Sequence, residues 1–95
     1  MGDGTAKSIQ TIKDAQHIVI GEVLRDMRLG AKIEAEELAR MLGVRVSKVV
    51  GLEGGSQRLL LHDFIRICEA LEIDPVEATG RLAAAVRKAE GLGIL

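Results

Sequence analysis

The sequence predicts an all-α fold, a compact bundle of four to five helices, and three observations predict it. Apolar residues recur three and four positions apart in successive segments, the spacing that lines one face of a helix. No period-2 alternation long enough to build a strand interrupts them. Glycines and one Asp-Pro pair fall between the segments, where helices stop and start. At 95 residues, 47% of them hydrophobic and 28% charged, the chain has the size and balance of one globular domain. Its core must be aliphatic, because Phe64 is the sole aromatic residue.

Residues 1–13 are rich in Gly, Ser and Thr, with two spaced isoleucines, Ile9 and Ile12. They read as a flexible N-terminal arm whose apolar pair is available to the body of the domain or to a partner. The domain proper spans 14–90. Asp14 is a candidate cap for a helix over 14–29, in which Ile18, Val19, Ile20, Val23, Leu24 and Met27 keep helical spacing. A second helix, 34–42, carries Glu34, Glu36 and Glu37 at its start, where the helix dipole favours negative charge, and an inward stripe of Leu38, Ala39 and Leu42. Gly43 stops it. A third, 46–53, is closed by Gly54 and Gly55, whose freedom at positive φ suits a sharp exit. The fourth, 61–71, sets Leu61, Phe64, Ile65, Cys68 and Leu71 on one face. Asp74 and Pro75 open a fifth, 75–90, since aspartate caps and proline at the first helical position loses no hydrogen bond. Its stripe is Val76, Thr79, Leu82, Ala83 and Val86, and 91–95 remain as a C-terminal tail.

Between Ala35 and Glu53 runs AEELARMLGVRVSKVVGLE. Two helices crossing steeply through a short turn need a small side chain where they touch, here Ala39, and a residue tolerating positive φ to begin the turn, here Gly43. Leu38, Leu42, Val44, Val49 and Leu52 fill the wedge between them. This segment resembles the helix-turn-helix of the phage-repressor or Xre-like family of transcriptional regulators, and the resemblance extends over roughly residues 20–75. IGEVLRDMR is similar to that family's opening helix, closing on Arg28. The stretch from Phe64 to Leu71 is similar to its core-closing helix. The resemblance implies a bundle of the phage-repressor DNA-binding-domain type. It also implies a structural ion pair between Arg28 and Glu53, the residue that ends the third helix ahead of Gly54 and Gly55.

For function, the resemblance implies a DNA-binding transcriptional regulator, acting as a homodimer with helix 46–53 in the major groove of double-stranded DNA. The base-reading candidates are Arg45, Val46, Ser47, Val50 and Gly51. The phosphate-contact candidates are Lys32, Lys48, Gln57 and Arg58. Here the chain departs from the family, which commonly offers glutamine or asparagine at the base-reading places and glutamine where Ala35 stands. Valine and glycine cannot make the bidentate bonds that fix adenine or guanine. Arg45 remains for guanine or phosphate, Ser47 for either, and Val46 with Val50 for thymine methyl groups, which together make a weak, AT-tolerant code. Gly51, inside a helix, costs about 1 kcal/mol against alanine, so something approaches it closely. The valine pair also fits a second reading, in which the scaffold is a protein-interaction module, antirepressor-like or antitoxin-like, with a protein partner and little DNA binding.

A net charge of -1 provides no global field toward nucleic acid or a membrane surface. The distribution is lopsided, however: residues 43–58 hold three positive charges against one negative, and residues 61–95 four against six. Few phosphate contacts mean modest affinity per subunit, and joining two weak modules on adjacent half-sites offsets it. Val76, Leu82, Val86, Leu92, Ile94 and Leu95 are the candidate seam of such a homodimer.

Cys68 is the sole cysteine, which excludes an internal disulfide and a cysteine-rich zinc site and suits a reducing, cytoplasmic setting. His17 and His62 lack metal-ligand spacing. The glycine-rich pieces at 2–4 and 91–93 follow no strand, as phosphate-binding loops do. No metal, cofactor, catalytic group or membrane span is expected, and the chain is not expected to be an enzyme.

Overall fold

A computed structural model describes residues 2–93, with side chains described from Ala15 onward. Five helices follow one another: α1 (Gly2–Gly30), α2 (Ala35–Leu42), α3 (Val46–Gly54), α4 (Leu61–Leu71) and α5 (Pro75–Gly91). The N-terminal stretch expected as a separate arm instead continues α1, and Asp14 lies inside that helix rather than capping it. Residues 2–13 contain no proline, and extending a formed helix adds a hydrogen bond for each residue fixed, whereas nucleating one is costly. The side chains of Ile9 and Ile12, and the whole of Ile94 and Leu95, lie outside the described residues.

The helices enclose one aliphatic core. Leu24 and Met27 enter it from α1, Leu38, Ala39 and Leu42 from α2, and Val49 and Leu52 from α3, meeting Phe64, Ile67, Cys68 and Leu71 of α4 and Ala78 of α5. Cys68 is fully buried, and that burial, helped by Asp74, pushes its thiol above the ordinary range. At neutral pH it is a protonated packing group rather than a nucleophile.

The stripe expected on α4 needs correction, and that of α5 is only partly buried. In α4 the inward residues are Phe64, Ile67, Cys68 and Leu71, while Leu61 and Ile65 are exposed. Ile65 stands about 100° around the helix from Phe64, and Ile67 closes the narrow arc instead. In α5 the buried residues are Ala78 and Ala89; Leu82, Ala83, Ala85 and Val86 are only half-buried. Val76 is exposed, and exposed Thr79 donates its hydroxyl to the Pro75 carbonyl at 2.7 Å. Small residues let α5 lie close along α1, where Ala85 and Ala89 face Ala15, Ile18 and Val19. Asp74 caps the start of α5 by accepting from the Val76 N–H at 3.0 Å.

Candidate nucleic-acid interface

Helices α2 and α3 are joined through Gly43, which adopts φ 70 and donates its N–H back to the carbonyls of Ala39 and Arg40. Val44 donates to the same Ala39 carbonyl at 3.0 Å, and Arg45, in extended conformation, leads into α3. Ala39 is buried at the crossing, where a larger side chain would push the two helices apart. Arg66 of α4 donates to the Leu42 carbonyl, fastening the end of α2.

The far end of α3 is locked to α1. Arg28 donates from Nε to Glu53 Oε2 at 2.6 Å and from Nη2 to Glu53 Oε1 at 2.9 Å. Its Nη1 donates to the Ile33 carbonyl at 2.9 Å, so one guanidinium joins the end of α1, the turn before α2 and the end of α3. Both side chains are about nine-tenths buried, and the planar fork matches the carboxylate bidentately. The bond to Glu53 raises the Arg28 pKa above its already high ordinary value.

Beside this pair the backbones of α1 and α3 touch. A Cβ on Gly21 would overlap the Glu53 carbonyl oxygen and come within 2.5 Å of that of Leu52. Gly55, at φ 84, closes α3 against Ile18 in the same joint. Sequence reasoning missed Gly21. The signal that could have found it is a glycine inside an otherwise regular helical run.

Of the base-reading candidates, Arg45 and Ser47 are exposed, as are Val46 and Val50, at 40% and 58%. The valine pair therefore lies outside the molecule's own core, and Val49 and Leu52 face inward instead. Gly51 departs from the expectation. It is buried, its carbonyl accepts from the N–H groups of Ser56 and Gln57, and the Gln57 side chain lies against it.

The phosphate candidates are divided. Gln57 and Arg58 are exposed and leave α3 together, while Lys32, exposed at φ 60, sits on the separate turn between α1 and α2. Lys48 is not the unengaged charge its segment suggested, because Asp63 of α4 meets its Nζ at 3.2 Å. Local charge counting could not see a partner supplied by another helix. Arg58 carries no ion pair among the described residues.

The candidate dimer seam is also divided. Val76 and Leu92 are 78% and 66% exposed, but Leu82 packs against the molecule's own core. Leu82 and Val86 line an open apolar groove with Ile20 and Leu59. Leu60, Leu61 and Ile65 form additional exposed apolar surface at the start of α4. Among the described residues no group of His, Cys, Asp or Glu could hold a metal ion, and no helix is long and apolar enough to cross a membrane.

Residues 19–82 match the family described as helix-turn-helix domain. No curated protein sequence matches the chain. Among solved structures the chain is similar to the clp gene regulator ClgR from Corynebacterium glutamicum, at 21% identity and a TM-score of 0.68, covering 74% of this chain and 91% of that one. A second ClgR structure gives 23% identity and a TM-score of 0.64, over 84% and 89% of the two chains. The restriction-modification controller protein C.AhdI from Aeromonas hydrophila is 31% identical, with a TM-score of 0.63, over 67% of this chain and 97% of that one. The ClgR likeness shows a shared fold. The span of the domain match and the identity to C.AhdI show more: the chain belongs to the helix-turn-helix domain family.

Proposed function

We propose that the chain is a transcriptional regulator that binds double-stranded DNA through α3, acts as a cytoplasmic homodimer and has no enzymatic activity. The observation that carries this reading is the outward face of α3. Val46, Ser47 and Val50 are exposed on one short helix, with Arg45 exposed just ahead of it, and the far end of that helix is held by Arg28 and Glu53. A helix fixed at one angle with a free face is what the major groove admits. The family match supports the reading, as do the roles of the proteins of similar structure, a gene regulator and a controller protein.

In this reading Arg45 meets guanine or phosphate, Ser47 a base or phosphate, and the two valines thymine methyl groups. Arg58 is the leading phosphate contact. Lys48 joins it by leaving Asp63, since a partly exposed pair of this kind holds by less than about 1 kcal/mol. Val76 and Leu92, with the outer sides of Leu82 and Val86, are the proposed dimer surface, which would set two copies of α3 on successive half-sites.

Titration with random-sequence duplex DNA across a salt series tests the proposal. Affinity should fall linearly on logarithmic axes as salt rises. A Lys48→Ala/Arg58→Ala double variant should bind about ten-fold more weakly at low salt, with a slope shallower by roughly 1 to 2. Asp63→Asn should bind more tightly than wild type, because it frees Lys48 and removes a negative charge facing the phosphates. Absence of binding at low salt would sink the DNA reading and favour the exposed Val46 and Val50 as a protein-docking stripe.

A further inference from the structure

We infer that Gln57, from the loop after α3, reads a base edge in the place that Gly51 leaves open. The inference rests on α3 being the DNA-reading helix. Gly51 lies one turn beyond Ser47 and next to Val50, so its position on α3 belongs with the exposed face. It is nevertheless buried, and Gln57 covers it. A Cβ at position 51 would come within 2.9 Å of Gln57 Cγ, 3.0 Å of Nε2 and 3.1 Å of Cδ. Three atoms of the side chain at nearly equal distance mean that the amide end lies along the helix surface.

Main-chain bonds hold Gln57 there. Gly55, at φ 84, reverses the chain, and the N–H groups of Ser56 and Gln57 both donate to the Gly51 carbonyl, at 2.9 and 3.1 Å. Gln57 itself remains exposed while its side chain rests against Gly51, the position one turn beyond Ser47 and next to Val50 on α3. A carboxamide offers a donor and an acceptor in one plane, the pair that bidentate recognition of adenine in the major groove requires. Arg45, Val46, Ser47 and Val50 supply no such group. Gly51 thus leaves the room in which Gln57 sits, and a side chain at 51 would shift the amide from that position. Gln57 is a specificity residue and not the phosphate contact that its position in the loop suggested.

Selection from a randomised duplex pool, followed by sequencing, tests this with wild type, Gln57→Ala and Gly51→Ala. Wild type should enrich adenine at one position of each half-site. Both variants should lose that preference by about ten-fold, with a salt slope that stays at the wild-type level because no phosphate contact is removed. Gln57→Ala carries the test if Gly51→Ala weakens the fold, since residue 57 is exposed. Adenine preference surviving in Gln57→Ala would overturn the inference. So would a uniform loss of affinity with a shallower salt slope, the signature of a phosphate contact. Wild type that binds no duplex at all would remove the DNA reading itself, an outcome distinct from either of these.

Discussion

Glu53→Ala should destabilise the fold by about 3 kcal/mol, because it removes one member of a buried pair and strands the other. Arg28 would keep the Ile33 carbonyl but lose both bonds on its Nε and Nη2 side. At 8% exposure the guanidinium cannot replace those bonds with water unless the joint between α1 and α3 opens. Domains of this kind have a total stability on the order of 5–15 kcal/mol. The change should therefore appear as a fall in Tm of roughly 10–20 °C, followed by the loss of helical circular dichroism. Glu53→Gln should fall between the two, since its amide oxygen still accepts one bond. A loss below about 1 kcal/mol would mean that the pair behaves as an exposed one and that apolar packing alone sets the angle of α3.

Gly21→Ala should cost about 2 kcal/mol, against the general gain of about 1 kcal/mol when alanine replaces glycine inside a helix. The added carbon would meet the Leu52 and Glu53 carbonyl groups, which are backbone and cannot swing aside as a side-chain tip can. Relief requires α1 to lift away from the exit of α3, which also strains the Arg28–Glu53 bond. Gly80→Ala is the matched control. It lies within α5 with nothing inside 4 Å of the added carbon, so it should stabilise by about 0.5–1 kcal/mol. Urea denaturation of the two variants beside wild type should displace their midpoints in opposite directions. Equal displacement would show that the α1–α3 joint yields without cost.

The all-α architecture was legible because its signals are local. The stripe of Leu38, Ala39 and Leu42 obeys the helical period within one segment, and Gly43 marks its own turn through the conformation it adopts. Contacts between segments carry no period. Arg28 and Glu53 are 25 positions apart, and only the resemblance to a known family suggested joining them. The approach of Gly21 to Leu52, the capture of Lys48 by Asp63 and the cover that Gln57 lays over Gly51 each depend on how whole helices are placed. Pattern reading also overstated size as a guide to burial. It built the α5 stripe from the larger Val76, Leu82 and Val86, whereas Ala78 and Ala89 are the buried residues of that helix. For Val46 and Val50 the sequence left a DNA and a protein partner both open, because α3 is only nine residues long and its exposed valines suit either.

The alanine face of α5 has a consequence for how the molecule comes apart. Each methyl group removes little apolar surface from water, so α5 is attached to the rest more weakly than α4, which inserts Phe64, Ile67 and Leu71. Local opening should begin at the C-terminal helix, leaving the α1–α4 body closed around its core. A second copy seated on the outer side of α5 would oppose that opening. Association and completion of the fold would then be linked equilibria, and the folded fraction would rise with the concentration of the protein itself.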